Sequence, residues 1–218
     1  MRWSLVTTTA AAADALDVET DLRAHLRVDG SVSDAEIRNY LGAAVEWFEG
    51  VGSRCLITTI YTMRLDSFPG ERLDKRSGPA WDGPDRYAIF LPRNPVQTLT
   101  SIKYDDTDGV EQTLSSAAYR LDSSSGVARV TPAYGYTWPS TREQTGCVRV
   151  LFTAGDGLTE ASVSDTAKQL IRLLVALMFK HREPVVTGTI VAELPWHHRT
   201  MLARAKLQFP TFPTASAA

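Results

Sequence analysis

The chain has 218 residues, of which 44% are hydrophobic and 22% are charged, so it can bury a core of ordinary size for a globular protein. Its 23 lysines and arginines nearly balance its 25 aspartates and glutamates, and a net charge of −2 excludes a whole-molecule field that would attract nucleic acid or an anionic membrane. Two cysteines are too few for a disulfide framework or a four-cysteine zinc site. Both cysteines, Cys55 and Cys147, lie in strand-like runs and are predicted to be small buried side chains.

Two helices are predicted in the first quarter of the chain, after an N-terminal arm at 1–16. The first helix begins at the N-cap residue Asp17 and ends at Arg27, with apolar residues recurring every four positions. The second begins at Ser33, which forms a capping box with Glu36, and glycines at 50 and 52 end it. Each helix has one apolar stripe that must face a core.

The period of the apolar residues changes to two between the second and third predicted helices, which indicates β-strands. Six strands are predicted, at 55–65, 87–91, 96–104, 110–114, 127–131 and 147–153. The pair Asp108-Gly109 predicts a hairpin turn, because both residue types tolerate the backbone angles of such a turn. Residues 66–86 are rich in proline, glycine and charge, and they predict a long exposed loop.

A third helix is predicted from Val163 to Arg182, and Pro184 ends it. Both of its faces are largely apolar, so we expect it either at the centre of its domain or packed against a neighbouring subunit. Its most apolar run contains Arg172 and is far shorter than the ~20 residues that cross a bilayer, so no membrane span is predicted. A fourth helix is predicted after Pro195.

These elements predict an α+β fold, in which a helical frame of three to four helices carries an antiparallel β domain inserted between the second and third helices. The predicted parts are an N-terminal arm (1–16), the first half of the helical part (17–52), the inserted β domain (53–160), the second half of the helical part (161–194) and a C-terminal helix and tail (195–218).

No residue pattern selects a catalytic, metal or cofactor site. Gly155-Asp156-Gly157 lacks the lysine of a phosphate-binding loop and is interpreted as a turn before a helix. Asp105, Asp106 and Asp108 resemble part of a calcium loop, but the first and twelfth positions of that loop would be Tyr104 and Ser115. The four histidines have no ligand spacing, and neither cysteine has the surroundings of a nucleophile. We therefore predict no enzyme activity and no cofactor.

The end of the chain mixes aromatic, apolar and basic residues, from Trp196-His197-His198-Arg199 to Phe209-Pro210-Thr211-Phe212-Pro213. Aromatic and arginine side chains of this kind are enriched in protein interfaces. The alternative is a terminal helix that folds back on its own core and ends in a frayed tail. The residues alone leave both interpretations open.

Several landmarks occur in a characteristic order along most of the chain: Leu5-Val6-Thr7, 24–29 (AHLRVD), Glu46-Trp47, 65–69 (LDSFP), 91–96 (LPRNPV), 119–122 (YRLD), 130–135 (VTPAYG), 150–155 (VLFTAG) and 181–184 (HREP). In this order the chain resembles the head-to-tail connector (adaptor) proteins of long-tailed bacteriophages, prophages and gene transfer agents. The resemblance implies a protein without catalytic activity, whose copies form a ring, usually of twelve, beneath the portal. It also implies assembly in the host cytoplasm and a final place at the head-to-tail interface of the virion.

The resemblance further implies two partners besides other copies of the chain, namely the portal protein and the next tail-side connector or tail terminator. DNA would pass through the lumen of the ring without tight binding, with which the near-neutral charge is compatible. The implied portal-binding residues are Trp196, His197, His198, Arg199, Leu202, Leu207, Phe209 and Phe212. The implied ring-interface residues are Arg172, Phe179, His181 and Arg182. The sequence departs from the family after Leu194-Pro195, where relatives continue with a more apolar helix.

The competing hypothesis is a monomeric β-rich module that binds carbohydrate or another surface. In that case exposed Trp81, Trp138 and tyrosines would stack on the ligand. A ring formed on the portal would favour the connector, whereas a monomer that ignores portal and binds glycan would favour the module.

Overall fold

The computed structural model describes residues 3–9, 11, 13–29, 31–70, 87–124 and 126–180. These residues form two compact units. The β unit comprises residues 3–9 and 58–155, and the helical unit comprises residues 11–57 and 156–180. Because the chain leaves the helical unit, completes most of the β unit and then returns, the fold is α+β with a β domain inserted between helices, as the sequence predicts.

The β unit holds eight strands among the described residues. In chain order they are β1 (Trp3–Thr9), β2 (Thr59–Leu65), β3 (Ile89–Phe90), β4 (Val96–Asp105), β5 (Glu111–Thr113), β6 (Tyr119–Asp122), β7 (Arg129–Pro132) and β8 (Val148–Ala154). They form a five-stranded sheet in the order β1-β2-β8-β4-β5 and a three-stranded sheet in the order β3-β7-β6. Every neighbouring pair is antiparallel.

The central strands of the larger sheet alternate between buried and more exposed residues, which is why a period of two is readable in the sequence. Tyr61 stacks on Phe152 with 5.7 Å between ring centroids, across the β2–β8 pair. The buried apolar side chains that form the core of this unit include Tyr61, Met63, Leu65, Phe68, Ile89, Leu91, Ile102, Val130, Val148, Val150 and Phe152.

Two strands, β1 and β6, are absent from the sequence predictions. Strand β1 lies in the segment expected to be an N-terminal arm, and it pairs with β2 so that Leu5 is opposite Met63. Six of its seven residues are exposed, so it lacks the alternation that marks a half-buried strand. Both β1 and β6 lie at the edge of a sheet, where pairing with a neighbour rather than hydrophobic pattern defines the strand.

The 91–96 landmark connects the two sheets, because it follows β3 and leads into β4. The N–H of Leu91 donates to the carbonyl of Ala128 at 2.8 Å. The amide of Ala128 donates in turn to Asn94 Oδ1 at 3.0 Å, and Asn94 is only 4% exposed. The peptide bond between Asn94 and Pro95 is cis. This landmark is therefore a structural connection between the two sheets.

The helical unit contains a π-helical turn at Val18–Leu22, α1 (Arg23–Leu26), α2 (Asp34–Gly52) and α3 (Asp165–Lys180). Both predicted N-caps are confirmed. Asp17 Oδ1 accepts the N–H of Thr20 at 2.6 Å, and Ser33 Oγ accepts the N–H of Glu36 at 3.2 Å. No described helix is long and apolar enough to cross a membrane.

Helices α2 and α3 pack on each other through the apolar stripes that the sequence predicts. The core of the helical unit consists of Ala15, Leu16, Val18, Leu22, Ile37, Leu41, Ala44, Phe48, Leu56, Ile57, Val163, Ala167, Leu170, Ile171, Leu174 and Val175. Helix α3 is not covered on all sides within the described chain, since Leu177 is 43% exposed.

Both cysteines are buried free thiols, which confirms the predicted burial. The thiol of Cys55 donates to the carbonyl of Ile57 at 3.1 Å, and that of Cys147 to the carbonyl of Asp66 at 3.0 Å.

The hydrogen bond from Cys147 to Asp66 fixes the start of the predicted loop 66–86. Phe68 in the same stretch is 1% exposed, so the prediction of exposure is wrong at this residue. Residues 71–86 lie outside the described chain.

Candidate protein-interaction site

A cleft of approximately 520 Å³ opens on the surface of the β unit, a size within the range of ligand-binding clefts. The described residues that line it are Pro69, Gly70, Tyr87, Thr131, Pro132, Tyr136, Thr137, Trp138 and Ser140. None of these lining residues is charged, and five of them are proline, tyrosine or tryptophan. We call this site the aromatic cleft. It is suited to an uncharged, largely apolar ligand.

One wall of the aromatic cleft is built on the core of the β unit. The ring of Trp138 lies flat on that of the buried Phe68, with 4.8 Å between centroids and 8° between planes. Phe68 in turn forms a T-shaped pair with Tyr104, with 5.7 Å between ring centroids. The Nε1–H of Trp138 donates to the carbonyl of Tyr87 at 2.7 Å. The indole is therefore fixed in orientation before any ligand binds.

Gly70 and Tyr87, the described residues on either side of 71–86, pack directly against each other. Gly70 has a φ of +89°, and a Cβ added there would lie 2.6 Å from the ring of Tyr87. Only glycine satisfies both conditions, because any side chain would strain the backbone and overlap the tyrosine. This contact holds residues 70 and 87 side by side in the lining of the cleft.

Two of the tyrosines that line the aromatic cleft are partly exposed, and a third exposed tyrosine lies close to them in the sequence. Tyr134 is fully exposed at the tip of a turn in which the N–H of Tyr136 donates to the carbonyl of Ala133 at 2.9 Å. Tyr136 is 53% exposed and Tyr87 is 44% exposed. Tyrosine and tryptophan are the side chains most enriched at the energetic centres of protein interfaces. This surface has the composition of a protein-binding site.

The aspartates near the β4–β5 turn make structural contacts. Arg149 donates to both carboxylate oxygens of Asp105, at 2.6 and 3.1 Å, and this pairing lowers the pKa of Asp105. Arg149 also contacts Glu111 at 2.9 Å, and the nearby Lys103 lowers the pKa of Glu111. Asp106 accepts the amides of residues 108 and 110, at 3.1 and 2.9 Å, within the predicted hairpin turn. Within the described ranges, no group of three histidine, cysteine, aspartate or glutamate residues could hold a metal ion.

The Gly155-Asp156-Gly157 segment bends after β8, at the place where the sequence predicts a turn. The carboxylate of Asp156 forms an ion pair with Arg54 at 2.6 Å. The backbone N–H of Asp156 donates to the carbonyl of Leu56 at 3.2 Å. This backbone amide is thus already bonded within the helical unit, and Asp156 places a negative charge in the turn. Neither feature suits an anion site.

The structure describes two of the four predicted ring-interface residues. Arg172 donates to Asp21 at 2.7 Å, and Phe179 meets the edge of Tyr40 with 6.0 Å between ring centroids. Both side chains therefore make contacts within the helical unit, and their role in a ring stays a prediction. His181 and Arg182, and the predicted portal-binding residues Trp196, His197, His198, Arg199, Leu202, Leu207, Phe209 and Phe212, lie outside the described residues.

Most of the aromatic cleft is missing from the sequence predictions. The sequence predicts a role for Trp138 only in the alternative module, where it would stack on the ligand. The available signal was the alternation of aromatic residues at 134, 136 and 138 in a segment without strand or helix pattern. Pro69, Gly70 and Tyr87 gave no comparable signal, because only the folded chain brings them beside Trp138.

The chain is similar to solved structures from gene transfer agent particles. One match, titled "Virion of native gene transfer agent (GTA) particle", is 26% identical with a TM-score of 0.67, and it covers 92% of this chain and 93% of the other. "Neck of empty GTA particle computed with C6 symmetry" is 27% identical with a TM-score of 0.68, and covers 93% and 94%. "Neck of native GTA particle computed with C12 symmetry" is 26% identical with a TM-score of 0.66, also over 93% and 94%. No protein-family model and no curated protein matches the chain.

These similarities extend over nearly the whole of both chains, so they concern the complete α+β arrangement and not one common substructure. The proteins they involve are components of particles and of particle necks. The comparisons therefore support a structural role in the virion, of the kind found in gene transfer agents and phages.

Proposed function

We propose that the chain is a head-to-tail connector (adaptor), whose copies form a ring beneath the portal and link the DNA-filled head to the tail. The observation that carries this proposal is the match to neck structures over 93% of the chain, including a neck computed with C12 symmetry. The order of the sequence landmarks supports the same assignment. A ring of twelve copies agrees with that symmetry.

Helix α3 offers a surface for contacts between copies. Its buried stripe faces the core of the helical unit, while Leu177 is 43% exposed near its end. In a cyclic ring each copy uses two different surfaces, one toward each neighbour. We assign one of them to the end of α3, together with the predicted residues Arg172, Phe179, His181 and Arg182.

The proposed portal contact is the C-terminal segment that begins at Trp196 and ends at Phe212. Its mixture of aromatic, apolar and arginine residues suits an interface with a protein. The opposite partner would be the next tail-side connector or the tail terminator. DNA passes through the lumen in this proposal, without a specific binding site.

Deletion of the gene in a host that produces the particle tests this proposal. We expect DNA-filled heads that carry no tails, because the portal would lack the component on which the tail assembles. Expression of the intact chain from a second locus should restore tailed particles. Tailed, transfer-competent particles at the normal yield in the deletion strain would contradict the proposal.

The aromatic cleft is the observation that favours the alternative, a monomeric carbohydrate- or surface-binding module. Stacked and exposed aromatic side chains can bind sugar rings as well as protein. A glycan array probed with the full-length chain separates the two functions. The module predicts retention on specific glycans and no effect of the deletion on tail attachment.

A further inference from the structure

The aromatic cleft has a candidate occupant within this chain. Beyond Lys206 the sequence ends Leu-Gln-Phe-Pro-Thr-Phe-Pro-Thr-Ala-Ser-Ala-Ala, in which no side chain is charged. Pro210 and Pro213 are three residues apart, and so are Phe209 and Phe212. We propose that the aromatic cleft binds the segment 209–213 of its own chain. The inference concerns the free chain, before the same segment meets the portal in the proposed assembly, so it does not depend on the portal or on ring formation.

The spacing of the segment fits an aromatic cleft. A polyproline II helix has three residues per turn, so residues three apart lie on the same edge, roughly 9 Å from each other. Pro210 and Pro213 would therefore form one edge and Phe209 and Phe212 another. Segments with two prolines at this spacing bind grooves lined by aromatic side chains in several unrelated domains, because little conformational entropy is lost on binding.

The lining of the aromatic cleft also favours an uncharged segment with apolar side chains. Tyr87, Tyr136 and Trp138 supply aromatic surface, and Pro69 and Pro132 complete an uncharged lining among the described residues. Trp138 is held by its stacking on Phe68 and by its hydrogen bond to Tyr87. An uncharged segment can enter this cleft without loss of charge hydration, which would oppose the binding of a basic or acidic segment.

The chain between the end of α3 and the segment 209–213 is long enough to permit the contact. Lys180 ends α3, and Pro210 follows 30 positions later. An extended chain of that length spans at most roughly 100 Å, so reach does not limit binding. A covalent link also gives the segment an effective concentration on the order of 1 mM at the cleft, so a weak interaction is sufficient.

Photo-cross-linking in the full-length chain tests the proposal. The photoreactive residue p-benzoylphenylalanine replaces Phe212 in one preparation and Ala217, outside the motif, in a control. Mass spectrometry then identifies the linked peptides, and a mixture of ¹⁴N- and ¹⁵N-labelled chains separates links within a chain from links between chains. We expect the probe at 212, but not at 217, to link within the chain to peptides that contain Tyr87 or residues 131–140.

Two tyrosine variants provide matched controls, because both residues are exposed on one turn and only Tyr136 lines the cleft. Tyr136→Ala should lower the yield of these links about fivefold, the effect of losing one aromatic contact. Tyr134→Ala should leave the yield unchanged. Links confined to α2 and α3, links only between chains, or equal losses in both variants would overturn the proposal.

Discussion

Gly70 and Gly135 both have positive φ angles, of +89° and +82°, but only the α-carbon of Gly70 lies against another side chain. Alanine in this region of backbone space costs about 1–2 kcal/mol. Gly135→Ala should lower the free energy of unfolding by that amount, since no atom lies within 4 Å of the added Cβ. Gly70→Ala should cost clearly more, because its Cβ would overlap Tyr87. Urea unfolding measures both, and equal losses would contradict the packing described here.

The carboxylate of Asp122 should make the stability of the folded chain depend on pH. Hydrogen bonds from the hydroxyl and the backbone N–H of Ser124, and then one from Arg129, lower the pKa of Asp122 to about 2 in the folded chain. In the unfolded chain Asp122 has its ordinary pKa of about 4, so below that pH the unfolded chain binds more protons than the folded chain. The contribution of Asp122 to stability is therefore full above pH ~4. This contribution is lost as the pH falls from about 4 toward 2.

Thermal unfolding of the wild type and of Asp122→Asn at several pH values between about 5 and 2 measures this effect. We expect the midpoint of the variant to fall less steeply with decreasing pH, because the variant has no carboxylate to protonate at this position. Arg129→Gln, which removes the cation and keeps the carboxylate, should give an intermediate slope. Identical slopes for all three proteins would show that Asp122 is not the linked group.

The single-residue features that the sequence predicts are those that depend on near neighbours. Asp17 and Ser33 are predictable as N-caps because their partners lie three residues further along the chain. The turn at Asp108-Gly109 is predictable for a similar reason. The aromatic cleft could not be assembled in this way, since its lining comes from positions 69–70, 87 and 131–140.

A charge introduced at the exposed end of α3 tests whether this helix forms part of the proposed ring interface. Leu177→Glu should leave the free energy of unfolding within about 0.5 kcal/mol of the wild type, because the side chain is already 43% exposed. It should nevertheless prevent ring formation on the portal, since a charge would be buried without a partner between copies. Leu158→Glu is the matched control, because Leu158 is 67% exposed in the same helical unit.

Sedimentation of the two variants with purified portal distinguishes these outcomes. The Leu158 variant should co-sediment with portal as the wild type does, and the Leu177 variant should remain free. A Leu177 variant that still forms rings would remove the end of α3 from the proposed interface. A loss of stability in that variant would instead indicate a role in the core.

Some helices and strands can be predicted from the sequence, and others cannot. Helices α2 and α3 and strands β2 and β8 each bury one regular stripe or face, so their period is visible in the sequence. Strand β1 is mostly exposed and uncharged, and it is a strand because β2 offers a partner edge. Such pairing is a property of the fold and leaves little trace in the residues themselves.

At the scale of the whole molecule, the chain combines a helical unit that is interrupted in sequence with a β unit that is inserted into it. The sequence indicated this insertion through the change of period after α2 and its return before α3. The similarity to gene transfer agent neck and virion chains covers both units. It is this complete arrangement, and no single group of residues, that supports a structural role in the particle.

The most direct test of the connector proposal is the mass of the complex that the full-length chain forms with purified portal rings, measured by native mass spectrometry. The proposal predicts a discrete complex in which the portal ring gains twelve copies of the 24.0 kDa chain. Monomeric chain alone would not decide the question, because ring formation can require the partner. A portal ring of unchanged mass, with the chain still free at 24.0 kDa, would contradict the proposal.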